Sequence, residues 1–388
     1  MRSLATVMTS VMASLFLAAS LTACSSFSSV LPAKDPNPPK ELQAIQATAN
    51  IQTVWKVSTG SSDKAYVRIY PYVDETAVIV AGGGSASAWD KRKGTALWKT
   101  PISEEITGGV NGGEGLVFVG TSEGSAIALD RQTGKIRWIE HLNSEVLAVS
   151  AASKGRVVFR TGDGQLTGLS TQTGEIIWQQ IRPSPELSLR GAGAPLIVGS
   201  AVIAGFDNGT VTAFDLEAGT GLWEAILSVP RGRNDLDKIT DVDGRIKQVG
   251  SALFAASYNG QIAGIRLQDG ALGWAQPYSS YAGVDADANG LYSTDVEGNV
   301  WKIHPQTGAP IWKMDDLQRR TPTAPTLMSD YIVVGDYAGY LHWINTRNGQ
   351  TVARLQSDTA GYTVPPISDG RVVYTFGKSG VLAAHALQ

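Results

Sequence analysis

Residues 130–138 read DRQTGKIRW: an Asp, a Gly four residues on, and a Trp four beyond that. The chain says nearly the same thing again at 90–98 (DKRKGTALW), 170–178 (STQTGEIIW), 215–223 (DLEAGTGLW), 266–274 (RLQDGALGW) and 304–312 (HPQTGAPIW). A seventh copy, NTRNGQTVA at 345–353, keeps the Gly but ends in Ala353. Successive tryptophans of the series lie 40, 40, 45, 51 and 38 residues apart. Six residues before each copy stands a second Gly, among them Gly124, Gly164 and Gly209, itself preceded by a short apolar run such as LVFVG or YIVVG.

One unit can be read physically. AVIAG-FDNG-TVTAFD is a pair of alternating strands joined by a tight turn, with Gly209 supplying a positive φ. In DLEAG the Asp215 carboxylate can accept from the backbone ahead while Gly219 takes the left-handed position. TGLWEA is then a further strand, and an apolar segment upstream such as GAPLIVG completes a four-stranded antiparallel blade. About 40 residues per such unit is the period of a β-propeller. A blade cannot bury both its faces alone, so neighbours must stack, and the repeating Trp is expected to fill the seam. An eighth unit, RVVYTFGKSGVLAAHA, stops at the C-terminus before its Trp, and the missing Trp stands near the start in IQTVWKVS, as Trp55. The expected fold is therefore all-β: an eight-bladed propeller of four-stranded antiparallel blades, closed by pairing of the N- and C-terminal strands, which leaves no open sheet edge within the ring.

Composition narrows the function. The 388 residues are 43% hydrophobic and 17% charged with a net charge of −3, so no basic surface is offered to nucleic acid. The one Cys excludes an internal disulfide framework and a Cys-rich metal site. The opening MRSLATVMTSVMASLFLAASLTAC reads as a signal peptide, its apolar run short for a bilayer span. LTAC resembles the lipobox of bacterial lipoproteins, which implies a diacylated Cys24 whose amine is acylated in turn and a firm lipid anchor. Ser25, where Asp would resemble an inner-membrane retention signal, resembles outer-membrane sorting. The expected organisation is a signal peptide over 1–23, a lipidated Ser/Pro-rich tether over 24–48 and the propeller over 49–388.

Signals for chemistry are weak. DADANG (285–290) begins like a calcium loop, but its twelfth position is Val296 and not a bidentate Glu. DLDKITDVDG (235–244) is acidic without that spacing, and the four histidines are far apart in sequence. The glycine runs precede strands and not a helix, so they are not phosphate cradles. No catalytic residue, metal or cofactor is expected. Function should lie where the repeat is broken. IRPSPELSLRGAG follows Trp178 and VPRGRNDLDKITDVDGRIKQ follows Trp223; both join the last strand of one blade to the first of the next, so they should emerge on one face as neighbours. Leu187, Leu189 and Arg190 on the first, with Asp241 and Asp243 on the second, have the composition of a protein interface. The alternative is two long loops that only pack on each other, with Arg190 paired to Asp241 or Asp243.

The repeat resembles the tryptophan-docking motif of the quinoprotein dehydrogenase propellers, the PQQ-like repeat family, over about residues 50–388. Those enzymes typically carry an adjacent Cys pair, a calcium site and a catalytic Asp; the single Cys and the absence of their long insertions set this chain apart. A quinone- or sugar-binding enzyme using the central channel is the rival reading. The lipobox, the Ser/Pro tether, the eight repeats and the segments ELSLRGAGAP and DVDG together resemble the BamB family, lipoproteins of the outer-membrane β-barrel assembly (BAM) machinery. The resemblance implies a non-enzymatic scaffold on the periplasmic face of the outer membrane. It implies that Leu187, Leu189, Arg190, Asp241 and Asp243 bind the periplasmic POTRA domains of BamA. Other BAM lipoproteins would be reached indirectly, and unfolded outer-membrane proteins are a further partner. Gly244 and Arg245 stand where that family often has Thr after the aspartate pair.

Overall fold

The computed structural model describes residues 35–60, 68–183, 185, 187–189, 191–231 and 233–388, and within these the regular elements are all strands. They form eight four-stranded antiparallel sheets. In blade I the order is Tyr72–Val73, Ala77–Gly82, Ser85–Asp90, Ala96–Pro101, and the order repeats along the chain through blades II (106–141), III (146–181), IV (196–226), V (247–278), VI (284–314) and VII (326–356). Blade VIII takes Ile367–Ser368, Val372–Phe376 and Val381–Leu387 from the C-terminus and its outermost strand, Ile51–Ser58, from the N-terminus. Lys56 faces Ala383 and Ser58 faces Val381 in that pairing, so the two ends of the chain close the ring as expected.

The repeated motif does what its chemistry predicts. Asp130 Oδ1 accepts from the backbone N–H groups of Gln132 and Thr133 at 3.1 and 2.9 Å, and Gly134 turns the chain at φ +70°. The Trp of the preceding blade lies flat on that glycine: a Cβ on Gly134 would stand 2.6 Å from the Trp98 ring, and Trp98 Nε1 donates to Arg131 O at 3.0 Å. The same pairing joins Trp138 to Gly174, Trp178 to Gly219, Trp223 to Gly270, Trp274 to Gly308, Trp312 to Gly349 and, across the closure, Trp55 to Gly94. Each of these indoles donates to a backbone carbonyl of the neighbouring turn, so burial leaves none of their N–H groups orphaned. Burying one such ring contributes about 4–6 kcal/mol, from roughly 150–250 Å² of surface. Directly across the strand from the Trp sits Ala or Gly (Ala88, Ala128, Gly168, Ala213, Gly264, Ala384), with Lys302 the exception.

Blade VII inverts this pattern for a topological reason. The turn that would receive its Trp joins the third and fourth strands of blade VIII, but those strands are the two ends of the chain. There is no turn to dock on. Ala353 takes the Trp position, and the large residue moves across the strand to Trp343, which is fully buried. The gap is filled by the N-terminal segment: Ala49 and Ile51 pack on Trp343 and Val352, and Thr48 N–H donates to Val352 O. The fastened part of that segment begins upstream of residue 48. Lys40 N–H donates to Gln318 O, Arg320 reaches Lys40 O, Arg354 reaches Gln43 O, and Leu42 packs against the hydrophobic cluster between blades VI and VII.

Hydrophobic clusters lie in each seam, such as Val158, Leu166, Trp178, Ala204 and Phe214 between blades III and IV. The innermost strands also bond across seams, as Thr107 Oγ1 does to Val146 O. Against this regular frame the connections 182–195 and 227–246 are the long departures.

Candidate docking surface

Both long connections leave the outermost strand of a blade and return to the innermost strand of the next, III to IV and IV to V, so they emerge together. Leu189 N–H donates to Asp241 Oδ2 at 2.5 Å, which ties one connection to the other. Leu187 and Leu189 stand 42% and 37% exposed, as an interface needs. Leu189 also borders a cavity of about 180 Å³ whose lining, including Arg68, Tyr70, Tyr281, Pro322 and Tyr362, comes from inter-blade connections around the ring. The two connections therefore share a face with the other inter-blade connections that line this cavity. Arg190 and Cys24 lie outside the described residues.

The aspartates are placed differently from the expectation of a surface pair. Asp241 and Asp243 are 0% and 2% exposed. Their segment is drawn inward between blades IV and V: Val242 N–H donates to Phe206 O of blade IV at 3.1 Å, and Tyr258 N–H of blade V to Asp241 O at 2.9 Å. Gly205 makes room, since a Cβ there would stand 2.6 Å from Val242 Cγ1. Asp243 likewise lies against Gly191 of the first connection, where a Cβ would come within 2.7 Å of Oδ2. The pair sits behind the exposed leucines and acts on the loop that carries them. In the alternative of mutually packed loops, the observed contact runs through the Leu189 backbone.

Two further residues complete the cluster and escaped the sequence reading. Arg160, fully buried in blade III, crosses the seam to donate to Gly205 O at 2.8 Å and to Asp207 Oδ1. Asp207, Asp241 and Asp243 each offer an oxygen within 4.8 Å of the others. Burial pushes the Asp243 carboxyl up to about 8, Arg160 countering it and Asp241 and Asp207 adding to it. Burial pushes Asp241 to about 6, against the hydrogen bond from Leu189. The signal for Arg160 was there to read. Four residues before the turn glycine the other blades carry apolar residues or Thr, such as Gly120, Gly205, Ala256 and Thr294, and a charge at that place is the anomaly. Arg245, the departure noted after the aspartate pair, serves a different site: it pairs with Asp285 at 3.5 Å and donates to Pro325 O.

The comparisons agree with this architecture. The family model described as "Outer membrane protein assembly factor BamB" matches residues 82–314. The outer membrane protein assembly factor BamB of Pseudomonas aeruginosa is 44% identical over 376 residues, covering 96% of this chain and 98% of the relative. That of Kangiella koreensis is 43% identical and covers 87% of this chain and 88% of the relative. The crystal structure of BamB from Moraxella catarrhalis superposes with a TM-score of 0.81 at 27% identity, covering 87% of this chain and all of that one. The quinohemoprotein alcohol dehydrogenase of Comamonas testosteroni superposes with a TM-score of 0.65 at 14% identity, covering 87% of this chain and 76% of that one, a likeness of fold alone. The chain belongs to the family of outer membrane protein assembly factor BamB.

Proposed function

We propose that this protein is a non-enzymatic scaffold of outer-membrane protein assembly. It is held to the periplasmic face of the outer membrane by lipid on Cys24 and binds the POTRA domains of BamA. Its docking surface is the first long connection, with Leu187, Leu189 and Arg190 making contact. Asp241 and Asp243 are positioning residues that hold the loop from behind. Other BAM lipoproteins are reached through BamA, and folding of incoming barrel proteins is assisted by placing that partner. The observation that carries this reading is the pair of exposed leucines on a loop whose backbone is fastened at Leu189 by a buried carboxylate. Solvent-facing apolar residues held on a fixed backbone are suited to an interface because little ordering entropy remains to be lost on binding.

The test is site-specific photo-crosslinking from positions 187, 190 and 241 in living cells. Strong adducts to a large barrel protein are expected from 187 and 190, and weak ones from the buried 241. Equal adducts from all three, or none from any, would count against the surface as drawn. Cys24→Ser is expected to move the protein from the membrane fraction to the soluble periplasm; unchanged membrane fractionation would contradict the lipid anchor.

A further inference from the structure

Among the described acidic groups, Asp241 and Asp243 stand apart in having buried oxygens without partners. Asp243 is buried, yet neither of its carboxylate oxygens has a hydrogen bond, and Oδ1 of Asp241 also has none. Among the described residues, the guanidinium hydrogen-bonded within the cluster is that of Arg160, which donates to Gly205 O and to Asp207 and whose Nε has no partner. The three carboxylates face this one hydrogen-bonded guanidinium among the described residues, with Arg68 as a further positive charge acting on Asp243. Buried uncompensated charge is strongly unfavourable. A carboxylate oxygen without a donor in a site already crowded with acceptors calls for a cation.

We propose that Asp207, Asp241 and Asp243 form a binding site for one divalent cation, with Ca2+ preferred. The three ligand oxygens lie within 4.8 Å of one another. Ca2+ takes oxygen ligands at about 2.3–2.6 Å in a flexible geometry, whereas Mg2+ demands near-octahedral geometry at about 2.0–2.1 Å. The ligands come from two connections of irregular backbone, one following the second strand of blade IV and one leaving its outer edge, and such a cage suits the more tolerant ion. A bound ion gives the free oxygens of Asp243 and Asp241 a partner. Asp241 Oδ2 remains on the Leu189 N–H, so the ion ties the base of the docking loop to the blade IV–V junction. The binding step itself needs no docking partner, so the site stands whether or not the proposed interface does.

The experiment is calorimetric titration of the full mature chain, stripped with chelator, with CaCl2 and separately with MgCl2 near neutral pH, with the thermal midpoint followed in parallel. One Ca2+ per chain is expected, with a raised midpoint and weaker Mg2+ binding. Affinity should fall as pH drops, because protons compete for the same oxygens. Asp243→Asn should weaken Ca2+ binding at least about tenfold, since even outer-shell changes cost about 10–100-fold, without lowering the midpoint of the cation-free chain. Asp241→Asn, whose amide oxygen can still accept from Leu189, provides a second reading should the first variant fold poorly. No Ca2+ binding at millimolar concentration, or binding unaltered in both variants, overturns the site.

Discussion

The seven tryptophan seams and the Asp207–Asp241–Asp243 pocket are both buried, both lie between structural units, and are built in opposite ways. At each seam the polar atom is satisfied: Trp178 Nε1 donates to Leu216 O at 2.9 Å while its ring rests on Gly219. In the pocket, buried carboxylate oxygens are left without partners. Asp285 sharpens the contrast, because it too is buried. There the desolvation that pushes a carboxyl up is outweighed by Arg245 and Lys247, and Asp285 is held below its usual range. The difference teaches where the fold puts stability and where it accepts its loss. Satisfied burial recurs with the repeated Trp, whereas the carboxylate oxygens left unsatisfied among the described residues lie beside the loop proposed for docking, as expected of a site shaped for binding.

The largest test of this comparison is to break a seam. Trp178→Ala should cost about 3–5 kcal/mol in chemical denaturation, through lost burial and a cavity beside Gly219. The reciprocal change, Ala353→Trp, should destabilise by about 1–3 kcal/mol, because no turn exists to receive the ring and Trp343 already fills the space. A stabilising Ala353→Trp would refute the account of blade VII.

The pocket should respond with the opposite sign. Asp243→Asn, by removing a buried unpaired charge, is expected to stabilise the cation-free chain at pH 8 by about 1–4 kcal/mol. The pH dependence follows from the same groups. With the folded carboxyls raised to about 8 and about 6, well above the ordinary aspartate value of about 3.9, the folded chain holds protons that the unfolded chain has released. Their contribution is present in full below about pH 4 and is lost as pH rises through the folded values. Cation-free protein should therefore lose stability between about pH 4 and 8 in urea titrations, and Asp243→Asn should flatten that slope. A slope identical in variant and parent would mean that the pocket is not the titrating element.

The smallest expected effect on stability carries the largest on function. Leu189→Ala removes a half-exposed side chain and should change stability by no more than about 0.5 kcal/mol. Recovery of the barrel partner from detergent-solubilised membranes should nonetheless fall about tenfold or more, the equivalent of about 1.4 kcal/mol. Undiminished recovery would detach the leucines from docking.

Much of the fold was legible in the sequence because it depends on short-range chemistry. An Asp that caps its own turn and a Gly at positive φ act within one hairpin, the Trp four residues later reaches only to the next copy of that turn, and their recurrence set the blade number and the split eighth blade. The same period located the two long connections as its interruptions, with exposed leucines on the first. Tertiary structure alone decided the burial of Asp241 and Asp243. Polar residues in an acidic loop read as surface until Val242 is seen bonding to Phe206, 36 residues away, with Gly205 vacating the space. It also decided that Arg160 meets Asp207 across a seam and that Ala353 is small because its receiving turn is replaced by the two chain ends. Turn and strand preferences are settled between neighbours in the chain, whereas the burial of a charge depends on which distant segments close over it.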